Sequence, residues 1–302
     1  MTDLPSDRAR AVVVRPMQTD DVPAAEVVAW DALEGAGRRY GFDMGERDEA
    51  RAAFSQARVH HLRSTDPDGA LVADLDGEVV GLALAITRGS LWFLSLLTVR
   101  EDLQGAGIGR RLLDGALAHG AGCRSGMICA SPDPKALRRY GRAGFTLHAG
   151  FEALGDPQRG RIPNGLGVRD GDWDRDRDLV EELITLRRGE PYGPDLDWCQ
   201  KHGMRILVRD GSGTDDRAVV LLSSDHVGTL AGASEDAAVR VLWAALGEAE
   251  GRVRVGYLHS LQQWAIAVAL EAGLPLTISD ALATRGDLLV PPAPYLPSGI
   301  FG

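Results

Sequence analysis

The chain has 302 residues, of which 44% are hydrophobic and 25% charged, and it carries a formal charge of -10. At roughly 100 to 200 residues per domain this is a length for two domains, and such a composition excludes a mainly disordered chain. The acidic balance argues against nonspecific nucleic-acid binding, which needs a basic face, and the longest apolar stretch, Leu91 to Leu97, is interrupted by Ser95 and falls well short of the roughly 18 residues of a spanning helix.

The opening segment MTDLPSDRARA lacks the apolar core of a secretion signal, so the chain reads as soluble and cytoplasmic. Three cysteines, Cys123, Cys129 and Cys199, are an odd number without CxxC spacing, which supports neither a disulfide framework nor a zinc site. His60 and His61 are adjacent and would point to different helix faces, so no metal is expected.

In chain order, Val12 to Arg15 is a short β-branched run. Thr19, Asp20 and Asp21 read as the cap of a helix carrying Val22, Val27, Val28 and Trp30. Gly35 to Gly45, dotted with glycine, reads as a loop, and a second helix is expected over Arg47 to Arg63, stopped by the DPDG turn. Ala70 to Leu75 and Val79 to Ile86 read as strands joined through Asp76-Gly77, a strong hairpin signal. Leu91 to Val99 is a nearly continuous apolar strand, as expected of one buried on both faces. A glycine-rich turn, Gln104 to Gly109, leads into a helix with Ile108, Leu112, Leu113, Ala116 and Leu117. Met127 to Ala130 reads as a strand, and Pro132-Asp133-Pro134 opens a helix through Arg142 that Gly144 ends.

Gly155 to Gly167 loses all periodicity and reads as a linker. The same order then recurs: Val168-Arg169 with Asp172 and Asp174 echoes Val14-Arg15 with Asp20. Strands follow at Arg205 to Arg209, Ala218 to Leu222 and Val227 to Ala231. A helix over Asp236 to Ala249, a strand over Val253 to Leu258 and a helix over Leu261 to Ala272 complete the series. This order of elements marks an internal duplication. The division expected is residues 1–155 as an active first domain and 156–302 as linker and degenerate second domain, with the proline-rich tail Pro291 to Gly302 as an extended edge segment.

The informative segment runs from Leu96 to Arg110. A buried strand enters a glycine loop that opens a helix, so backbone amides and the positive helix end converge on one point. That geometry suits an anion such as a diphosphate, with glycine needed so that no side chain holds it off the amides. The segment starting at Gly105 has no Lys and no hydroxyl for a Walker loop. Read as GxGxxG, its last glycine position is Arg110, and the ribose-binding acid is missing.

Gln104-Gly105-Ala106-Gly107-Ile108-Gly109, preceded by Leu97-Thr98-Val99, resembles the Q/R-x-x-G-x-G/A motif of the GNAT superfamily of N-acetyltransferases. The family's downstream motif is similar to Asp133-Pro134-Lys135-Ala136, Tyr140 and Gly144-Phe145, with Asp133 standing where the family has Asn. The resemblance covers about residues 11 to 150. It implies an α/β (α+β) chain of two tandem GNAT folds, each a mixed, mostly antiparallel sheet flanked by helices.

It further implies acetyl-CoA as co-substrate, its pyrophosphate on the amides of Gly105 to Arg110 and its pantetheine arm along Leu97, Thr98 and Val99. Arg100, Arg110 and Arg111 are candidates to neutralise phosphates. Tyr140 would act as general acid toward the departing sulfur, and an amide near Leu97 would stabilise the oxyanion. The strand position where family members often carry an acid is Ser95, so no general base is identified. Glu26, Asp31, Glu34, Trp30 and Tyr40 lie where the resemblance places the acceptor, with Trp30 and Glu34 the candidates retained. The others read as solvated charges or packing aromatics.

In the second half the matching loop is Ala231-Gly232-Ala233-Ser234-Glu235-Asp236, where two carboxylates would repel phosphate, and Ala269 stands at the tyrosine position. The expected activity is transfer of an acetyl group to a primary amine, carried by a small molecule or peptide, by direct attack and without metal. The alternative is a noncatalytic acyl-CoA sensor. Neither nucleic acid nor membrane is expected as a partner, and monomer and homodimer both remain open.

Overall fold

The computed structural model describes residues 11–41, 45–223 and 226–302. It is a mixed α/β chain whose strands are mostly antiparallel and whose sheets are flanked by helices. The chain forms two compact units, one ending at Arg124 and the other spanning Ser125–Gly302.

In the first unit β1 (Val13–Pro16), β2 (Ala70–Leu75), β3 (Glu78–Arg88) and β4 (Leu91–Val99) lie in that order, each antiparallel to the next. The β2–β3 hairpin turns on Asp76 (φ 54°) and Gly77 (φ 89°), the two left-handed residues that a tight twisted hairpin requires. Helices α1 (Val22–Tyr40), α2 (Glu49–Thr65) and α3 (Ile108–His119) pack on these strands. Helix α1 continues through Gly35 and Gly37 to a left-handed Gly41. The loop expected from Gly35 is therefore helix as far as Tyr40: Gly35 and Gly37 are buried in it, and their small size favours close packing over the intrinsic cost of glycine in a helix.

A buried ion network ties α2, β3 and α3 together. Asp66 accepts from Arg88 Nη1 at 2.8 Å and from the Thr87 amide at 2.8 Å, with His119 Nε2 at 3.0 Å. Burial would raise the Asp66 carboxyl, but the hydrogen bonds from His119 and Arg88 outweigh it and hold the group at about 2.

The second unit comprises β5 (Ser125–Ala130), α4 (Pro134–Arg142), β6 (Thr146–Gly155), β7 (Arg169–Asp170), α5 (Trp173–Arg188), α6 (Pro194–Lys201), β8 (Arg205–Asp210), β9 (Arg217–Leu222), β10 (His226–Gly232), α7 (Glu235–Glu248), β11 (Val253–His259), α8 (Gln263–Glu271), β12 (Leu276–Gly286) and β13 (Tyr295–Leu296). Its strand order is β5-β12-β6-β11-β10-β9-β8-β7, with β13 paired to β10. Among the described residues of this unit only β10 and β11 run parallel. Strands β6 and β12 were not expected from the sequence. They alternate exposed and buried positions weakly, and their pairing is long-range.

Residues 13–155 and 169–286 pass through one order of elements, β-α-α-β-β-β-α-β-α-β. The last strands are crossed over: β12 lies between β5 and β6, and β6 between β12 and β11. The linker at residue 155 divides the sequence. Compactness divides the chain at Arg124/Ser125, because β6 and β12 pair with each other and join both ends of this stretch into one sheet. The linker itself is docked: the Gln158 amide donates to the Ala272 carbonyl at 2.8 Å, and Arg159 Nη1 to the Gly247 carbonyl at 3.0 Å. Apolar side chains of α7 and α8, among them Val241, Leu242, Leu246 and Trp264, form the core against β9, β10 and β11.

Each run begins with the same device. Arg15 of β1 bonds Asp21 at 2.6 and 2.9 Å, and Asp21 also accepts the Gln18 amide. Arg169 of β7 bonds Asp176 at 2.8 and 2.7 Å, and Asp176 also accepts the Asp172 amide. The expected echo paired Asp20 with Asp172 and Asp174. The contacts fall instead on Asp21, the residue before α1, and on Asp176, in the first turn of α5. Both carboxyls lie below the usual range, chiefly through the arginine hydrogen bonds.

Candidate functional site

The loop between β4 and α3 leaves a row of donors uncommitted. Gly105 and Gly107 adopt φ +88° and +84°, and a Cβ at either would meet nothing within 4 Å. Glycine is required there by backbone conformation and not by crowding. Gly107 is the N-cap of α3 and has no side chain to cap with. The first bonds of the helix run from the Arg110 and Arg111 amides to the Gly107 carbonyl at 3.1 and 3.2 Å. Among the described residues, the amides of Gly105, Ala106, Gly107, Ile108 and Gly109 have no hydrogen-bond partner. Uncapped donors at the positive end of a helix can receive an anion. Gln104 steadies the turn through a 3.1 Å bond from Nε2 to the Val99 carbonyl.

Arg110 and Arg111 are exposed beside this loop, Arg110 with Asp114 at 3.5 Å. Arg100 is otherwise employed, held by Glu78 at 2.6 Å and Asp102 at 2.7 Å. Two carboxylates thus already hold it.

Strand β4 carries a feature that its apolar sequence conceals. Ala85 pairs with Leu94 and Leu84 with Leu96, which leaves Ser95 as an extra, unpaired residue. This is a β-bulge, which re-aims the backbone locally. The Oγ of Ser95 and the Oγ1 of Thr98 are buried without a hydrogen-bond partner. Buried hydroxyls without partners are rare in native structures, and both lie on the strand that enters the open loop. The only sequence signal was a serine interrupting an apolar run. Leu97 is half-buried and Val99 buried.

On α1, Trp30 is half-buried and Glu34 is exposed and paired with Arg38 at 2.7 Å. Glu26, expected as a solvated charge, is 1% exposed. It stays buried because Arg47 grips both its oxygens, at 3.1 and 2.6 Å.

In the second unit, Asp133 caps α4 by accepting the Lys135 amide at 2.7 Å. Tyr140 on that helix is buried, and burial pushes its phenol up to about 12. Its carbonyl accepts the amides of Ala143 and Phe145, at 3.0 and 3.1 Å, around a left-handed Gly144. This explains the spacing between the tyrosine and the Gly-Phe pair: the turn that ends α4 is hung on the tyrosine's own backbone.

The corresponding turn before α7 is closed. The Ser234 side chain accepts the Ala237 amide at 3.2 Å, and Glu235 and Asp236 fill the first turn. Arg187 donates to the Gly232 carbonyl at 2.5 Å and also to that of Ala233. The tail Pro291 to Gly302 is not an edge segment as expected. Tyr295, Leu296 and Phe301 are at most 1% exposed, and β13 pairs with the interior strand β10. Its prolines read as an edge because they cannot donate to a ladder, but they flank the paired residues instead.

Among the described residues no helix is long and apolar enough to cross a membrane, and no group of three or more potential metal ligands occurs.

Residues 37–145 match the acetyltransferase (GNAT) family. Among solved structures, an acetyltransferase candidate from Pyrococcus horikoshii is similar with a TM-score of 0.76 at 16% identity, over 97% of this chain and 96% of that one. A GCN5-related N-acetyltransferase from Sphaerobacter thermophilus gives 0.58 at 13% identity, over 91% and 96%. One from Anabaena variabilis gives 0.59 at 10% identity, over 91% and 72%. At these identities the likeness is one of fold. No curated protein matches the chain.

Proposed function

We propose that the chain is an N-acetyltransferase moving an acetyl group from acetyl-CoA to a primary amine, a reading supported by the match of residues 37–145 to the acetyltransferase (GNAT) family. The single observation that carries this reading is the run of unpartnered amides from Gly105 to Gly109 at the uncapped start of α3. The residues fit a diphosphate: donors are free, no Cβ intrudes, and Arg110 and Arg111 add positive charge nearby. Leu97, Thr98 and Val99 would hold the pantetheine arm, and the orphaned Thr98 hydroxyl fits a polar arm of that kind.

Acetyl-CoA supplies an activated thioester. The amine attacks its carbonyl carbon, the C–N bond forms and the C–S bond breaks. Tyr140 donates its proton to the departing sulfur, a role suited to a phenol that burial keeps protonated. The amine's proton passes to water, since no carboxylate stands at Ser95. A backbone amide beside the Ser95 bulge would stabilise the carbonyl oxygen as negative charge develops there. No covalent enzyme intermediate and no metal enter this scheme. Trp30 and Glu34 are proposed to face the acceptor, a small molecule or peptide.

We read residues 169–286 as a second copy of the fold that has lost the cofactor chemistry. The identical element order and the paired Arg15–Asp21 and Arg169–Asp176 devices support this. The serine in place of a strand carboxylate favours a second reading, a noncatalytic acyl-CoA sensor. One experiment separates them: acetyl-CoA binding is measured by calorimetry, then thiol release is followed with a panel of amines. Binding with thiol release supports the enzyme, binding without release under every amine supports the sensor, and absence of binding overturns both.

A further inference from the structure

Among the described residues, strands β10 and β11 pair in parallel at His226↔Arg254 and Val227↔Val255. Beyond Val227, β10 remains paired to β9 on one edge, through Leu230, Ala231 and Gly232. Its other edge, vacated by β11, is taken by the chain's own tail. Leu230 pairs with Leu296 and Ala231 with Tyr295, and the Gly232 amide donates to the Pro294 carbonyl at 3.3 Å.

The tail is received as a peptide, through its backbone as well as its side chains. Gln262, fully buried at the start of α8, donates Nε2 to the Pro292 carbonyl at 2.9 Å and to that of Tyr295. Arg188 donates to the Phe301 carbonyl at 2.7 Å, and the Tyr192 hydroxyl to the Gly302 carbonyl at 2.5 Å. The Phe301 ring sits edge-on to Tyr192 and Trp198, at 5.9 and 5.3 Å between centroids. Backbone carbonyls read by side chains, an extended pairing on an open strand edge and an aromatic anchor are the marks of peptide recognition by strand addition.

We propose that the second half contains an extended-peptide cleft along β10, with residues 291–302 as its resident ligand. The further statement that this segment lies along β10 as the pantetheine arm would along β4 rests on the reading of two copies given above. The cleft then has a new occupant in place of a cofactor, and the two carboxylates at the start of α7 are tolerated because no phosphate arrives there.

The test uses the folded full-length chain. A protease site is placed within residues 287–290, where Leu289 and Val290 are exposed, and the chain is cut after folding. The expected result is that the 291–302 peptide stays bound and exchanges with a labelled synthetic copy. A Leu296→Asp peptide should compete about a hundredfold more weakly, because a carboxylate would enter an apolar position. A second measurement on uncut protein guards against damage by the cut: Tyr192→Phe should speed amide exchange at Leu230 to Gly232 about tenfold.

The proposal is overturned if the cut peptide does not exchange short of global unfolding, if it leaves and the labelled copy does not rebind, or if the Leu296→Asp peptide competes equally. Acetyl-CoA binding to the uncut chain is scored separately. Its failure would remove the proposed enzyme and leave the peptide exchange to stand or fall alone.

Discussion

Two helices in this chain follow a buried strand and a short turn, and they treat their N-termini in opposite ways. Before α3 the turn uses Gly105 and Gly107 in left-handed conformation, has no capping side chain, and leaves five amides without a partner among the described residues. Before α7 a serine caps the helix, two carboxylates occupy the first turn, and Arg187 closes the carbonyls of Gly232 and Ala233. The second arrangement is the better one for helix stability. The first is retained at a cost, and donors left unsatisfied at a helix start are what an anionic ligand would complete. The difference teaches that a helix terminus is informative by what it lacks.

The largest expected effect breaks the open loop. Gly107→Glu places a side chain at φ +84°, costing roughly 1–2 kcal/mol, and aims a carboxylate at the proposed diphosphate position. Calorimetry should show acetyl-CoA affinity falling about a hundredfold or more. Gly107→Ala separates strain from charge: its Cβ meets nothing within 4 Å, so the loss should be only about tenfold. Near-normal binding by Gly107→Glu would remove the loop assignment.

Next in size is the chemistry. Tyr140→Phe should lower kcat by about 10²- to 10⁴-fold while leaving acetyl-CoA affinity within a few-fold. Because the phenol is pushed up to about 12, the protonated acid persists across the neutral and mildly alkaline range. No basic limb from this group should appear in the kcat profile below about pH 10. Unchanged turnover by the phenylalanine variant at every pH would end the assignment.

A third test concerns the scaffold that holds the open loop. Asp66→Asn removes the charge that Arg88 and His119 face in the buried network. It should destabilise the first unit by about 3–5 kcal/mol, read by denaturant unfolding. The sign of the pH dependence follows from a folded carboxyl at about 2 against an unfolded value near 3.9. Its stabilisation is complete above about pH 5 and fades as pH falls toward 2. The variant should lack that part of the acid transition, and an identical acid profile would refute the linkage.

The smallest effect sharpens the other side of the comparison. Glu235→Gln with Asp236→Asn should cost about 0.3–1 kcal/mol for each lost helix-start charge. Calorimetry should still show one acetyl-CoA per chain, because Ser234 and Arg187 keep the turn closed. A second equivalent bound by this variant would mean that charge alone had silenced the second loop.

Local chemistry made much of this readable in advance. Strands β2 and β4 carry their boundaries as apolar runs between turn signals, and the hairpin at Asp76-Gly77 and the cap at Asp133 follow from the residues in place. The turn before α3 was legible because Gly105 and Gly107 take the left-handed conformation that glycine adopts most readily. The buried Glu26 was misread because its partner Arg47 lies 21 residues away, and a sequence pattern of solvated helix charges does not reveal such a partner.

The sequence by itself determined most of the helices and the strands bounded by turn signals, the order in which they recur, and the glycine loop that opens α3. Those properties rest on side-chain pattern, backbone preference and capping within a few residues. Tertiary structure alone decided that β6 and β12 cross over, that Ser95 is the bulged residue, and that the proline-rich tail lies buried along β10. Each depends on which distant strand edge is left open, and a strand edge is filled by whatever backbone the rest of the fold brings to it.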